Sequence, residues 1–250
     1  MLNFEKNIKF LKKKNFLIYK IENFLDQDFY NKIKINFPKV NSNEIDLKEN
    51  FGKVSFKFSE INFENYEQKS TLEELDKLIM SKVFFKFFVK NFFFKNALMQ
   101  NGIFRKIKYL RYPIKDSNYK SLSDILFSKI SVSYKFSLIK NNGGIVPHVD
   151  AQRKYLSLML YFPDEEKNEI EYGTTFWNCS IRNHENKHIS NIEKIKIFKK
   201  SSEIEYKTPF NKNCLYGFSR NDLSWHTVEP TNISDNYVRK SININFYYNN

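Results

Sequence analysis

The stretch "GGIVPHVDAQRKYLSLMLYFP", residues 143–163, sets His148 and Asp150 two positions apart, just ahead of an apolar run. In an extended chain residues i and i+2 project from the same face, so an imidazole and a carboxylate at this spacing can converge on one point. A surface turn would carry the same two residues with nothing between them. The choice depends on what else the chain brings to that point. The chain holds 4 histidines: His148, His184, His188 and His226. His184 and His188 sit in the polar, loop-like "RNHENKHISN" and read as surface residues. His226 lies in "SWHTVEP", another short strand-like run.

Two imidazoles and one carboxylate on one face of an octahedral metal, with the other positions open, form the facial triad that suits Fe(II). His148, Asp150 and His226 supply that set. Thirteen residues after His226, Arg239 and Ser241 stand two apart in "RKSININFYY". This chain prefers Lys to Arg almost everywhere, so an arginine on an inward strand face points to planar, bidentate recognition of a carboxylate. A hydroxyl at i+2 adds a hydrogen bond on the same side. An edge-strand charge with no ligand is the plain alternative for Arg239 taken alone.

Composition bounds the rest. The 250 residues are 41% hydrophobic and 17% aromatic, with 6 Gly and 6 Pro, which excludes a disordered chain and argues for one domain over residues 1–250. The formal charge of +13 is nearly all lysine and is dispersed along the chain, as expected of a solvated surface; a nucleic-acid partner is the alternative. Cys179 and Cys214 make no disulfide framework or metal-spacing motif. The N-terminal "MLNFEKNIKFLKKKNF" breaks each apolar run with charge, and "VFFKFFVKNFFF" is too short to span a bilayer. A cytoplasmic location and no membrane span are the expectation.

The hydrophobic period changes along the chain. Residues 1–103 read as a helix-rich support: a strand in "NFLIYKIENFL", a helix in "DQDFYNKIKINFP", a short strand near "KVSFKF", then one long helix. That helix covers "STLEELDKLIMSKVFFKFFVKNFF", with Ser70 and Glu73 as a capping box and Leu72, Leu75, Leu78, Ile79, Val83 and Phe87 as its buried stripe. Residues 104–250 read with period two as many short strands, interrupted by a polar loop or insertion at 183–205. The predicted fold is mainly β with N-terminal helices, an antiparallel sandwich or barrel.

His148-Val149-Asp150, His226 and Arg239-x-Ser241, in that order and spacing, resemble the 2-oxoglutarate/Fe(II)-dependent dioxygenase superfamily. "FLIYKIENFLDQDFYNKIKINFP" resembles the opening strand and helix of its prolyl-hydroxylase-like branch, and "YGTTFW" a Gly-Thr segment of many bacterial and viral members. The resemblance spans residues 14–40 and 130–248; residues 41–129 and 183–205 match no part of it. It implies a double-stranded β-helix (jelly roll), with His148, Asp150 and His226 as ligands of Fe(II). Arg239 and Ser241 would hold the distal carboxylate of 2-oxoglutarate, with Tyr161 placing its hydroxyl on the same group. Trp177 and Trp225 would either line the pocket or serve as buried aromatics.

The activity implied is hydroxylation of an unactivated C–H bond, consuming O2 and 2-oxoglutarate as co-substrates and releasing succinate and CO2. Demethylation or desaturation are variants of the same step. The substrate expected is a small molecule, sugar or lipid intermediate. The alternatives are a macromolecule (a protein side chain or an alkylated nucleobase) and a non-catalytic jelly-roll binding module.

Overall fold

The computed structural model describes residues 8–12, 17–40, 44–46, 51–99, 130–164, 172–180, 198 and 200–248. The two longest period-two segments lie side by side at its centre. Strand β4 (Ile130–Lys140) pairs antiparallel with β11 (Val238–Tyr248) along their full lengths, from Val238 opposite Lys140 to Tyr248 opposite Ile130. Strand β6 (Lys154–Phe162) takes the other side of β11, β9 (Leu215–Ser219) follows β6, and β2 (Leu17–Ile21) and β1 (Ile8–Lys12) extend that edge. The opposite edge is β3 (Lys53–Phe56), paired to β4. The resulting sheet has the order β1-β2-β9-β6-β11-β4-β3. A second sheet has the order β5-β10-β7-β8, built from β5 (Ile145–His148), β10 (His226–Val228), β7 (Thr175–Cys179) and β8 (Ser202–Lys207).

From β4 to β11 the chain winds between the two sheets. Strands β4, β6, β9 and β11 fall in the large sheet, and β5, β7, β8 and β10 in the small one. This winding is the jelly roll, or double-stranded β-helix, that the resemblance implied, and one form of the antiparallel sandwich or barrel expected from the period-two pattern. Part of the expected 183–205 loop is in fact strand: Ser202–Lys207 closes the small sheet against β7. Its run "SEIEYK" alternates polar and apolar residues, a pattern masked by the lysine-rich residues before it. Strand β1 is likewise unforeseen, because its lysines disguise an edge strand as a charged tail. Residues 104–129, and His184 and His188, lie outside the described residues.

The large sheet is two-faced, and the alternation along each strand sets the faces. Phe136 and Leu138 on β4, Ile242, Ile244 and Phe246 on β11, and Leu158 and Leu160 on β6 belong to one buried apolar core shared with three helices. Helix α1 (Gln27–Ile35) begins at Asp26, whose carboxylate accepts hydrogen bonds from the amides of Asp28 (3.1 Å) and Phe29 (3.3 Å), and ends before Pro38. Helix α2 (Tyr66–Ile79) begins at Asn65, whose side chain accepts from the Gln68 amide at 2.8 Å. Ser70 therefore lies inside this helix and is not its cap. The single long helix expected is two: α3 (Lys82–Met99) restarts where the Ser81 hydroxyl accepts from the Phe84 amide at 3.1 Å.

That restart rotates the apolar stripe. Val83, expected inside, is 69% exposed, whereas Phe84, Phe88 and Phe92 at spacing four are fully buried. Phe84 stacks on Phe246 of β11 and Phe88 packs against it at a tilt, with ring centroids 6.3 and 5.8 Å away. Each such ring contributes about 2–3 kcal/mol through burial, so α3 is held by its aromatic face. Phe88→Ala should cost about 3–5 kcal/mol, and Val83→Ala no more than about 0.5 kcal/mol. Urea unfolding followed by circular dichroism checks both; equal losses would contradict this packing.

Candidate metal centre

Strands β5 and β10 bring the two histidines together. His148 closes β5, His226 opens β10, and the two are paired residues across the ladder. Their ring centroids lie 4.1 Å apart. The approach depends on Gly144, where a Cβ would come within 2.5 Å of the Val228 carbonyl oxygen on β10. The turn before it is closed by the Gly143 amide donating to the Lys140 carbonyl at 2.8 Å. Asp150, just beyond β5, has its backbone carbonyl held by Arg220 Nε at 3.0 Å. Arg220 is anchored in turn to Asp222 at 2.8 Å.

The tautomers follow from the partners. His148 Nδ1 lies 2.9 Å from the Val146 carbonyl, and His226 Nδ1 3.0 Å from the Ser224 carbonyl. A carbonyl only accepts, so each Nδ1 carries the proton and each Nε2 presents its lone pair. One donor atom from each of His148, Asp150 and His226 lies within 4.8 Å of the others, which is the only such group of three among the described residues. The Asp150 carboxylate is fixed by two hydrogen bonds of 2.6 Å, from Lys154 Nζ to Oδ1 and from the Ser157 hydroxyl to Oδ2.

The electrostatics keep this donor set ready for a cation. Burial, with the neighbouring His148 adding to it, pushes His226 down to about 3, and burial lowers His148 as well. Both imidazoles are thus neutral at ordinary pH, the form that binds metal. Burial opposes ionisation of Asp150, but the Lys154 charge and the hydrogen bonds from Lys154 and Ser157 outweigh it. Its carboxyl stays well below the usual carboxylate range. Behind His226 the wall is apolar, with the Phe218 ring centroid at 4.7 Å and that of Phe176 at 6.2 Å.

A cavity of about 270 Å³ opens beside the triad. Arg239 lines it from β11, Thr174 from the approach to β7, and Lys53 and Lys135 from the far edge of the large sheet. Arg239 is 3% exposed; its Nε donates to the Tyr172 carbonyl at 2.7 Å, and its guanidinium lies over the Phe210 ring (4.7 Å) and the Tyr161 ring (5.1 Å). Burial, then the charges of Lys154 and Arg239, push Lys53 down to about 8.

Tyr161 is fully buried. It lies beneath Arg239, not in the cavity wall, and its hydroxyl is 2.9 Å from Thr174 Oγ1 and 3.1 Å from Thr208 Oγ1. The Thr174 amide also donates to Thr208 Oγ1 at 2.7 Å. Gly173 permits this contact, because a Cβ there would collide with the Thr208 carbonyl. Tyr161 therefore supports the guanidinium from below. Ser241 is buried in register between Tyr161 and Ser137, and it is Ser137 that lines the cavity. Trp225 packs on Phe198 in a separate small core. Trp177 lines a second cavity with Phe198 and Phe51, on the side of β5–β10 away from the triad, and donates to Thr227 Oγ1 at 2.9 Å.

Several contacts went unread in the sequence. Ser157 is the lone polar residue in "YLSLMLYF", and Arg220 is one of the chain's few arginines. Either oddity could have flagged a role around Asp150. Lys53 and Lys135 gave no signal, because lysine is everywhere in this chain.

No family model matches the chain, and no curated protein matches it. Among solved structures it is similar to a prolyl-4-hydroxylase from Pseudomonas putida, with TM-score 0.49 and 12% identity over 93% of each chain. It is also similar to a prolyl hydroxylase from Trichoplax adhaerens, solved in complex with a hypoxia inducible factor oxygen degradation domain peptide fragment. That match has TM-score 0.47 and 11% identity over 92% of this chain and 83% of that one. A prolyl 4-hydroxylase from Phytophthora capsici matches with TM-score 0.43 and 12% identity over 95% of this chain and 60% of that one.

Removing a hydrogen bond that orients a ligand carboxylate typically weakens metal binding about 10–100-fold. Ser157→Ala should therefore lower Co(II) affinity by at least about tenfold, read from the visible ligand-field bands in a titration. Unchanged affinity would remove Ser157 from the support of Asp150.

Proposed function

We propose that the chain is a 2-oxoglutarate-dependent Fe(II) oxygenase that hydroxylates an unactivated C–H bond of a small molecule. The observation that carries this reading is a conjunction in one cavity: two imidazole Nε2 lone pairs and one carboxylate converge, and a buried arginine stands in the same wall. The donor set fits Fe(II) with positions left open. His148 Nε2, His226 Nε2 and an oxygen of Asp150 would hold it. Bound there, the metal supplies the oxidation that couples release of succinate and CO2 to hydroxylation by O2.

The chain's own residues account for what surrounds that chemistry. The carbonyls of Val146 and Ser224 keep both imidazoles in the metal-binding tautomer. Ser157 and Lys154 stop the Asp150 carboxylate from rotating. Arg239, braced by Tyr172, Phe210 and Tyr161, offers a rigid planar fork to the distal carboxylate of 2-oxoglutarate. Phe218 and Phe176 keep water from the rear of His226. The cavity volume of about 270 Å³ lies just below the usual range of ligand pockets and matches the size of a small-molecule substrate.

Anaerobic addition of Fe(II) and 2-oxoglutarate should produce a weak visible charge-transfer band, and O2 should then yield succinate even without substrate. Absence of both would sink the reading. Asp150→Ala should abolish succinate formation. Arg239→Lys should raise the 2-oxoglutarate concentration needed by about tenfold or more, equivalent to about 1.4 kcal/mol, with the metal still bound. Unchanged turnover in either variant would remove that residue from its assigned role.

A further inference from the structure

The oxygenase reading uses only part of the cavity's charge. Asp150 is the single acid among the described residues that line it, against Lys53, Lys135, Lys154 and Arg239. Lys154 is paired to Asp150, and Arg239 is assigned to the co-substrate. Lys53 and Lys135 remain, and neither forms an ion pair among the described residues.

Sheet register shows how these two cations are arranged. Lys53 on β3 and Arg239 on β11 both pair with Ile139 of β4, so they flank one strand on the cavity face. Their backbones are about 10 Å apart, two strand spacings. The next row along the sheet is Ser55, Ser137 and Ser241, and the row after it contains Lys135 opposite Asn243. Small hydroxyls thus leave an open floor between two lysines. Ser137 is 1% exposed, lines the cavity, and its Oγ has no hydrogen-bond partner among the described residues. Buried hydroxyls are normally satisfied, and this one, in the cavity lining, is placed to bond a group that enters it. A partly buried lysine likewise keeps its charge at lower cost when an anion joins it.

We infer that this wall of β3, β4 and β11 is the substrate subsite, and that the substrate is a small molecule carrying an anionic oxygen group, carboxylate or phosphate. Lys53 and Lys135 grip that group from either side, and Ser137 and Asn243 hydrogen-bond it. The anion anchors the substrate so that its reacting carbon faces the triad. The inference rests on the oxygenase reading for what happens to the substrate, but the anion site stands on its own geometry.

The test uses the full chain loaded with Fe(II) and 2-oxoglutarate without O2. Inorganic phosphate, acetate and, as a neutral control, tert-butanol are titrated in turn, following the broadening of their 31P or 1H resonances by the paramagnetic iron. At least one anion should broaden saturably, and which one does so identifies the group; tert-butanol should not. Lys53→Met should weaken that anion by about tenfold or more, and Lys135→Met, at the exposed rim, should weaken it measurably. In both, the loss should exceed any loss of 2-oxoglutarate affinity read from the visible band. Equal broadening by tert-butanol, or anion affinity unchanged in both variants, overturns the proposal. So does an equal loss of anion and 2-oxoglutarate affinity in Lys53→Met, which would place Lys53 on the co-substrate. If Lys53→Met does not fold by circular dichroism, Lys135→Met decides alone. A wild-type protein with no 2-oxoglutarate band would sink the oxygenase reading, and the same titration with Fe(II) alone would then judge the anion subsite.

Discussion

The pairing of β5 with β10, with His148 opposite His226, is the constraint from which the site follows. The two residues are far apart in the chain, yet paired strand positions lie only about 5 Å apart, and their imidazoles end up with centroids 4.1 Å apart. A one-residue slip would turn one imidazole to the opposite face of the small sheet and leave two donors in place of three. Gly144 enforces the approach by letting β5 come close to the Val228 carbonyl. Asp150 then needs only to follow His148 by two residues to complete the triad.

The large sheet answers a different demand, since one face is the helix-packed apolar core and the other mixes cavity-lining polar residues with a second apolar cluster. Alternation along β11 sends Ile242, Ile244 and Phe246 toward the helices, and Arg239, Asn243 and Asn245 toward the cavity. The helix face, with its stacked phenylalanines, provides hydrophobic stabilisation that can offset the cost of the other face. Burying cations is unfavourable unless they are paired or supported. Arg239 is supported by two aromatic rings and a carbonyl, and Tyr161 under it is locked by two threonines. The rings and the carbonyl that brace this fork, from Tyr161, Phe210 and Tyr172, do not line the cavity themselves.

Charge in this chain has two separate meanings. Most of the +13 is dispersed, as the sequence suggested, and no helix among the described residues is long and apolar enough to cross a membrane. A few of the same lysines point inward. Lys154 fastens a ligand carboxylate, and Lys53 sits among other cations with its proton affinity depressed. Composition cannot separate these from their surface counterparts, because the side chain is the same and only its surroundings differ.

Local order and period were legible in the residues themselves. The change to period two anticipated the many short strands of the two sheets. His148-x-Asp150 pointed to one face because strand geometry is local, and the scarcity of arginine drew attention to Arg239. The helix caps were misjudged because Asn65, five residues before Ser70, caps α2, and Ser81 starts a second helix. Tertiary structure alone decided which lysines enter the cavity, that Tyr161 braces Arg239 from beneath, and that Ser137 lines the cavity floor. Those outcomes depend on strand register and on how the two sheets face each other. Register joins residues a hundred or more positions apart, and no local pattern encodes such a pairing.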